Sequence, residues 1–394
     1  MNKLLVPKLR FPEFDGEWDL QQLGNITKIY DGTHMTPDYK ENGIPFYSVE
    51  HVTNDDFSQT KFIAEDVFEK ENKRVMLEKG DVLMTRIGDI GTSKYISWDV
   101  KASFYVSLAL LKGSRDDSML FVNQYIKTNI FQKELHKRTI HVAFPKKINL
   151  GEIGLCNILL PRIDEQTKIA NFLTAVDDKI QQLTRKKELL EQYKKGVMQQ
   201  IFSQKIRFKD DDGSDYPVWE EKKLGDVIDC LDNKRIPINA EERLKIKGSI
   251  PYYGANGVVD WISKFIFDEQ LVLLAEDGGN FDEFSTRPIA QLISGKSWVN
   301  NHAHVIKANV ENHTPFIFYT LVHKDIRQWI NGTSRSKLNK SDMFLINLQL
   351  PNVLEEQQKI AGILSIVDDK IDMVLKQLQQ TQIYKNSLLQ QMFI

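Results

Sequence analysis

The sequence predicts an α+β chain. Two α/β globular blocks are each followed by a long helix, the two helices pair as a coiled-coil spacer, and the whole is a pseudo-two-fold internal repeat. Three observations predict it. The pentapeptide VDDKI occurs at 176–180 and again at 367–371. The match extends without a gap over 165–202 against 356–393, where 16 of 38 positions are identical. Apolar residues also recur at 3,4 spacing along both copies, through Ile169, Leu173, Val176, Ile180 and onward in one, and through Ile360, Leu364, Val367, Ile371 and onward in the other. A stripe of that length points to the two copies packing against each other; the alternative is two amphipathic helices, each packed on its own block. At ~1.5 Å per residue the stripe makes a rod of roughly 57 Å.

The repeat reaches into the blocks. WDLQQLG (18–24) resembles WEEKKLG (219–225), IPFY (44–47) resembles IPYY (250–253), and KKIN (146–149) resembles SKLN (336–339). Each block ends in an apolar strand closing on Leu-Pro, NILLP (157–161) and NLQLP (347–351). The order is therefore block, helix, block, helix, with boundaries at 1–163, 164–203, 204–353 and 354–394. Within the blocks, 79–98 reads as strand, Gly turn, strand, and 269–279 as a buried strand running into a turn. Segments 121–139 and 315–330 have helical spacing. The repeat also closes in a circle. KIRFKDDDG (205–213) follows the first helix, and its counterpart KLRFPEFDG (8–16) stands at the other end of the chain, which predicts an N-terminal arm lying near the C-terminus.

Composition excludes several classes. Lys and Arg number 52 against 54 Asp and Glu, for a net charge of −2, so any anion-binding face is local. Two cysteines, Cys156 and Cys230, form no CxxC and argue against a disulfide framework or zinc ribbon. No apolar run approaches the roughly 18 residues of a membrane span, and Pro7 breaks the short apolar stretch at the start, so the reading is cytoplasmic. SGKSW (294–298) contains GKS, but Ala290 stands where a phosphate-binding loop needs its first Gly. His302 and His304 alternate as on a strand with no Cys nearby, which makes a poor metal site. Asp177 and Asp178 are neighbours that point about 100° apart on a helix and share no site. No two prolines are adjacent, so the paired-proline motif that holds a flipped base in amino-methyltransferases is missing, and no catalytic residue or metal ligand is assigned.

Positive charge gathers late in each block. Lys127, Lys133, Lys137, Arg138, Lys146 and Lys147 face one acid, Glu134. Lys324, Arg327, Arg335, Lys337 and Lys340 face Asp325. One such run is ordinarily a solvated face; two at corresponding places of a repeat point to an anionic partner. Loops around Arg86 (MTRIGDIG) and Asn256 (YYGANG) add donors beside glycines.

This constellation resembles the specificity subunit of type I restriction–modification systems along essentially the whole chain. The carriers are GDVLMTRIGDIG (80–91), NILLP with EQTKIANFLTAVDDKI, and NLQLP with EQQKIAGILSIVDDKI. The resemblance implies that the blocks are target recognition domains reading the two halves of a split site in double-stranded DNA. The blocks share little sequence, which implies an asymmetric site. It further implies that the helices form an antiparallel spacer docking two methyltransferase (M) subunits, which bring S-adenosylmethionine, and that restriction/translocase (R) subunits bring ATP and Mg. This chain itself would bind no cofactor and catalyse nothing. The expected DNA contacts are Tyr47, Arg86, Lys94, Lys137, Arg138, Lys146 and Lys147 in the first block, and Tyr253, Asn256, Arg335, Lys337 and Lys340 in the second. The second block has LLAEDGGNF where the first has LMTRIGDIG, which weakens the parallel there. The alternative is a coiled-coil scaffold that organises protein partners without reading DNA.

Overall fold

A computed structural model describes residues 5–113, 118–332 and 336–393. The chain divides into two compact units, Met1–Arg185 with Leu375–Ile394, and Lys186–Val374. Each unit therefore holds one block, half of one long helix and half of the other. The helices run Ile163–Phe202 and Leu354–Gln391.

In the first unit a four-stranded antiparallel sheet has the order Thr27–Asp31, Leu108–Gly113, Val82–Thr85, Ser93–Tyr95. In the second, Ile228–Cys230, Ala303–Ala308, Leu271–Ala275 and Ala290–Ile293 repeat that order. The central strands Val82–Thr85 and Leu271–Ala275 are buried throughout, and apart from Thr85 they are wholly apolar. The Leu-Pro strands Asn157–Leu160 and Asn347–Leu350 pair antiparallel with Asp19–Gln22 and Glu220–Lys223. The helical segments are shorter than their spacing suggests. Segment 121–139 is interrupted between Met119–Ile126 and Asn129–Arg138, because the Thr128 side chain accepts the Phe131 N–H and starts a new helix. Helix Thr314–Leu321 likewise ends before the single 3-10 turn Arg327–Trp329.

Both long helices bury the predicted stripe. Ile169 and Leu173 lie in the first unit's core beside Leu388, Met392 and Phe393, with Val176 packed against it. Ile360 and Leu364 lie in the second unit's core beside Ile201, with Val197 and Phe202 packed on it. Val367 and Ile371 are buried, and Ile180 is half-buried. The start of one helix thus meets the end of the other within each unit, which makes the pairing antiparallel. The pentapeptide's first Asp has a place in this pairing. Asp177 accepts from Gln124 Nε2 at 3.0 Å and pairs with Lys127 at 3.5 Å and with Lys385. Its equivalent Asp368 accepts from Tyr319 Oη at 2.7 Å and pairs with Lys194 at 2.5 Å. Lys194 and Lys385 are themselves equivalent positions, so one cross-helix ion pair is written twice. Burial alone would raise the Asp177 carboxyl, but Lys127, Gln124 and Lys385 outweigh it and hold it below the usual range.

The EQxKIA motif ties helix to block. Glu165 is 1% exposed and receives Arg10 Nε and Nη2, each at 2.7 Å. Glu356, equally buried, receives Arg207 Nη2 at 3.1 Å and Trp219 Nε1 at 3.0 Å. The next residue, Gln166 or Gln357, donates to the Leu-Pro carbonyl, Pro161 or Pro351, at 2.9 Å. Its own oxygen accepts from the backbone of Ser118 or His313, at the start of the block's buried helix. The circular closure is present: Leu9 N–H donates to Gln391 O at 2.8 Å, as Ile206 N–H donates to Gln200 O at 3.2 Å.

Candidate nucleic-acid interface

Sheet topology decides where loops gather. Thr27–Asp31 and Val82–Thr85 both run antiparallel to Leu108–Gly113, so the loops after the first two and before the third leave from one end of the sheet. The segment around 146–148 is laid against that end. Gly88 N–H donates to Lys146 O at 2.8 Å, and Ile148 N–H to Arg86 O at 3.0 Å. The second block repeats this: Gly278 N–H donates to Ser336 O at 3.3 Å, and Leu338 N–H to Glu276 O at 2.8 Å. Gly88 at φ +83° and Gly278 at φ +69° both take the left-handed turn that lets the chain double back, which is why MTRIG and LAEDG share a glycine.

Arg86 therefore corresponds to Glu276, and the charge is reversed. Arg86 is 8% exposed, and its guanidinium donates inward to Val106 O at 2.7 Å and Ile148 O at 3.2 Å. It braces the loops from within, and is not the open surface donor read from the sequence. In the second block His304 Nε2 donates to Leu338 O at 2.9 Å, the carbonyl equivalent to Ile148 O. The cation comes from Arg235, which donates to Glu276 at 2.6 Å and Ala303 O at 2.7 Å and lies 3.2 Å from Asp232. Asp232, Glu276 and His304 could together offer metal ligands within 4.8 Å of one another. Here Arg235 bridges both carboxylates and both His304 nitrogens are engaged, Nδ1 by Asp232 at 2.7 Å, so the group is an ion-pair network. Burial would raise Asp232, but His304, the Val305 N–H and Arg235 outweigh it and hold it below the carboxylate range.

The other expected contacts separate into three groups. Tyr47 is buried against Phe57 at 4.9 Å, and burial pushes its phenol up; it is a core residue and not a surface aromatic. Tyr253 is half-buried and its phenol is raised for the same reason. Lys94 pairs with Asp55, Lys137 with Glu134 at 2.8 Å, and Arg138 with Glu134 and Glu152 at 3.7 and 3.5 Å. Much of the basic run is thus neutralised internally, as is Arg327 by Asp325 at 2.7 Å. At the loop end remain exposed Lys146 and Lys147, which make no ion pair among the described residues. In the second block, Lys337 is 3.3 Å from Glu276, Lys340 lies over the Phe344 ring, and Asn256 donates to Gly278 O at 2.9 Å. Arg335 lies outside the described residues. Sequence reading missed Arg10, Arg207 and the Lys194 and Lys385 pairs; the signal was present, since both arginines stand in the matched K-[LI]-R-F stretches.

Among the described residues no helix is long and apolar enough to cross a membrane. The family model of the type I restriction modification DNA specificity domain matches residues 15–192 and 218–381, one copy for each block and its helix. The chain is similar to the type I restriction enzyme MjaVIII specificity subunit of Methanocaldococcus jannaschii, at 25% identity over 97% of this chain and 92% of that one. It is 32% identical to S.HindORF215P of Haemophilus influenzae over 146 residues, which is 37% of this chain and 36% of that protein. Its fold matches the S subunit of a type I restriction–modification system from M. genitalium, with a TM-score of 0.72 over 99% of both chains at 16% identity. The two matched copies span most of the chain, which belongs to this family and is a non-catalytic specificity subunit of a type I restriction–modification system.

Proposed function

We propose that each block reads one half of an asymmetric split site in double-stranded DNA through the loops gathered at its sheet end. The supporting observation is the repeated sheet end itself. Equivalent loop segments carry Lys146 and Lys147 in one block and Lys337 in the other, on cores that share topology but little surface sequence. Lysines there neutralise phosphates, while differing neighbours read different base edges. Lys94, Lys137 and Arg138 are held by internal pairs, as Lys337 is by Glu276 at 3.3 Å; Lys337 lies on the loop segment itself and would exchange that pair for a phosphate. The paired helices set the distance between half-sites and dock two methyltransferase subunits that bring S-adenosylmethionine; R subunits would add ATP and Mg. Tyr193 and Tyr384 support the docking reading, since they occupy equivalent places on the helices and both stay more than half exposed. With a net charge of −2, this subunit alone binds DNA weakly and in a salt-sensitive manner.

Two substitutions separate the roles. Val176→Asp with Ile180→Asp should unpair the helices and lose co-purification with the methyltransferase. Lys337→Ala, alone or with Arg335→Ala, should leave assembly intact and weaken the assembled complex on its site. Unchanged affinity would remove these residues from the interface, and a complex that still co-purifies with the helix variant would refute the docking assignment.

A further inference from the structure

Resting on that reading, we propose that Phe144 is a wedge that enters the base stack of the half-site read by the first block. The loop between Ile140 and Lys147 has a closed root. Ile140 N–H donates to Lys147 O at 2.8 Å, Gly88 N–H to Lys146 O at 2.8 Å, and buried Arg86 grips Ile148 O. Its tip is apolar and bare: Val142 is 96% exposed and Phe144 104%. The His141 ring turns back to His136 O at 2.9 Å and leaves the tip to these two side chains.

An apolar tip on a fixed root is costly in water and is explained by a partner that covers it. The surroundings specify that partner. Lys146 and Lys147 follow after Pro145, exposed and in no ion pair among the described residues, and no Asp or Glu occurs in the sequence between Glu134 and Glu152. A protein surface that buried Phe144 would also have to neutralise both lysines, whereas a duplex offers phosphates on either side of each base step. Apolar side chains set between phosphate-binding cations are how proteins open a step and kink the helix axis. Pyrimidine–purine steps open most readily, so the wedge favours such a step in this half-site. The corresponding segment of the second block, NGTSRSK (331–337), contains no large apolar residue, so the two half-sites differ in deformation as well as in sequence.

The test uses the specificity–methyltransferase complex and a duplex carrying its mapped site, with no S-adenosylmethionine added. 2-Aminopurine is placed in turn at steps of the first half-site other than the methylated base. Wild type should raise the fluorescence at one step. Phe144→Ala should abolish that rise and weaken specific binding about tenfold, with binding to unrelated duplex and assembly unchanged. Phe144→Trp should retain the rise. An equal rise in wild type and Phe144→Ala, with specific binding intact, overturns the wedge and leaves the DNA-reading proposal standing. Loss of the methyltransferase from Phe144→Ala also overturns it, by assigning the tip to a protein contact. A wild-type complex that binds no duplex sequence-specifically overturns both proposals together.

Discussion

In the second unit the chain runs unbroken from Phe202 through Arg207 to Trp219. In the first unit the same three places are filled by Phe393, Arg10 and Trp18, from opposite ends of the sequence. The contacts are similar. Phe202, Trp219 and Phe316 meet at ring distances of 5.9–6.3 Å, and Phe393, Trp18 and Phe121 at 5.6–6.1 Å. Lys359 pairs with Asp211 over the Tyr216 ring, and Lys168 pairs with Glu13 over the Phe11 ring. Side-chain contacts therefore specify the joint, and covalent continuity is dispensable to its geometry. Energetically the two differ. The arm of the first unit must be ordered without a chain link to its helix, which carries an entropic cost the second joint lacks. Among the described residues Trp18 Nε1 is buried without a hydrogen-bond acceptor, whereas Trp219 Nε1 has Glu356.

The largest way to break this comparison is Arg10→Ala against Arg207→Ala. Removing Arg10 leaves Glu165 buried without its cation and should cost about 3–5 kcal/mol. Removing Arg207 leaves Glu356 with Trp219 and should cost distinctly less. Urea unfolding with hydrogen exchange read separately in each unit measures both, and equal costs would erase the asymmetry. Leu173→Ala and Leu364→Ala come next. They are equivalent, fully buried places, and each should cost about 2–5 kcal/mol, by similar amounts.

A third pair is Asp177→Asn against Asp368→Asn, with about 1.5–3 kcal/mol expected for Asp177, whose loss strands both Lys127 and Lys385. The loss at Asp368 should be smaller, since it strands Lys194 alone, which still lies over the Tyr319 ring. These carboxylates also set a pH dependence. Asp177 and Asp232 have folded values below their unfolded ones, so their stabilisation is full above the ordinary carboxylate range and is lost as pH falls through the folded values. Asp177→Asn should flatten the fall of the urea midpoint below about pH 4. The smallest effect belongs to Lys146→Ala and Lys147→Ala, which should each reduce the slope of log affinity against log salt by about 0.9 with little change in stability. An unchanged slope would take them off the phosphates.

Much of this architecture was legible in the sequence because repeats and periodicity survive without coordinates. The helical seam, the strand before each Leu-Pro and the circular closure were all readable from spacing. The candidate interface was less so, because burial and ion pairing are tertiary properties. Nothing local says that Arg86 turns inward beneath the loop it starts, that Tyr47 faces the core, or that Glu134 and Glu152 neutralise Arg138. Nor does helical spacing over 121–139 reveal that Thr128 accepts the Phe131 N–H and breaks the helix. Two blocks on one topology, with Arg86 in one and Glu276 in the other, show how a shared backbone can be braced by opposite charges.

The most direct test of the central claim is a map of methylated adenines in a cell expressing this chain with its methyltransferase subunit. Two different blocks on one spacer predict new methylation at a split motif, with two unlike halves at a fixed gap. Methylation at a single contiguous motif, or none at all with a competent methyltransferase present, would contradict it.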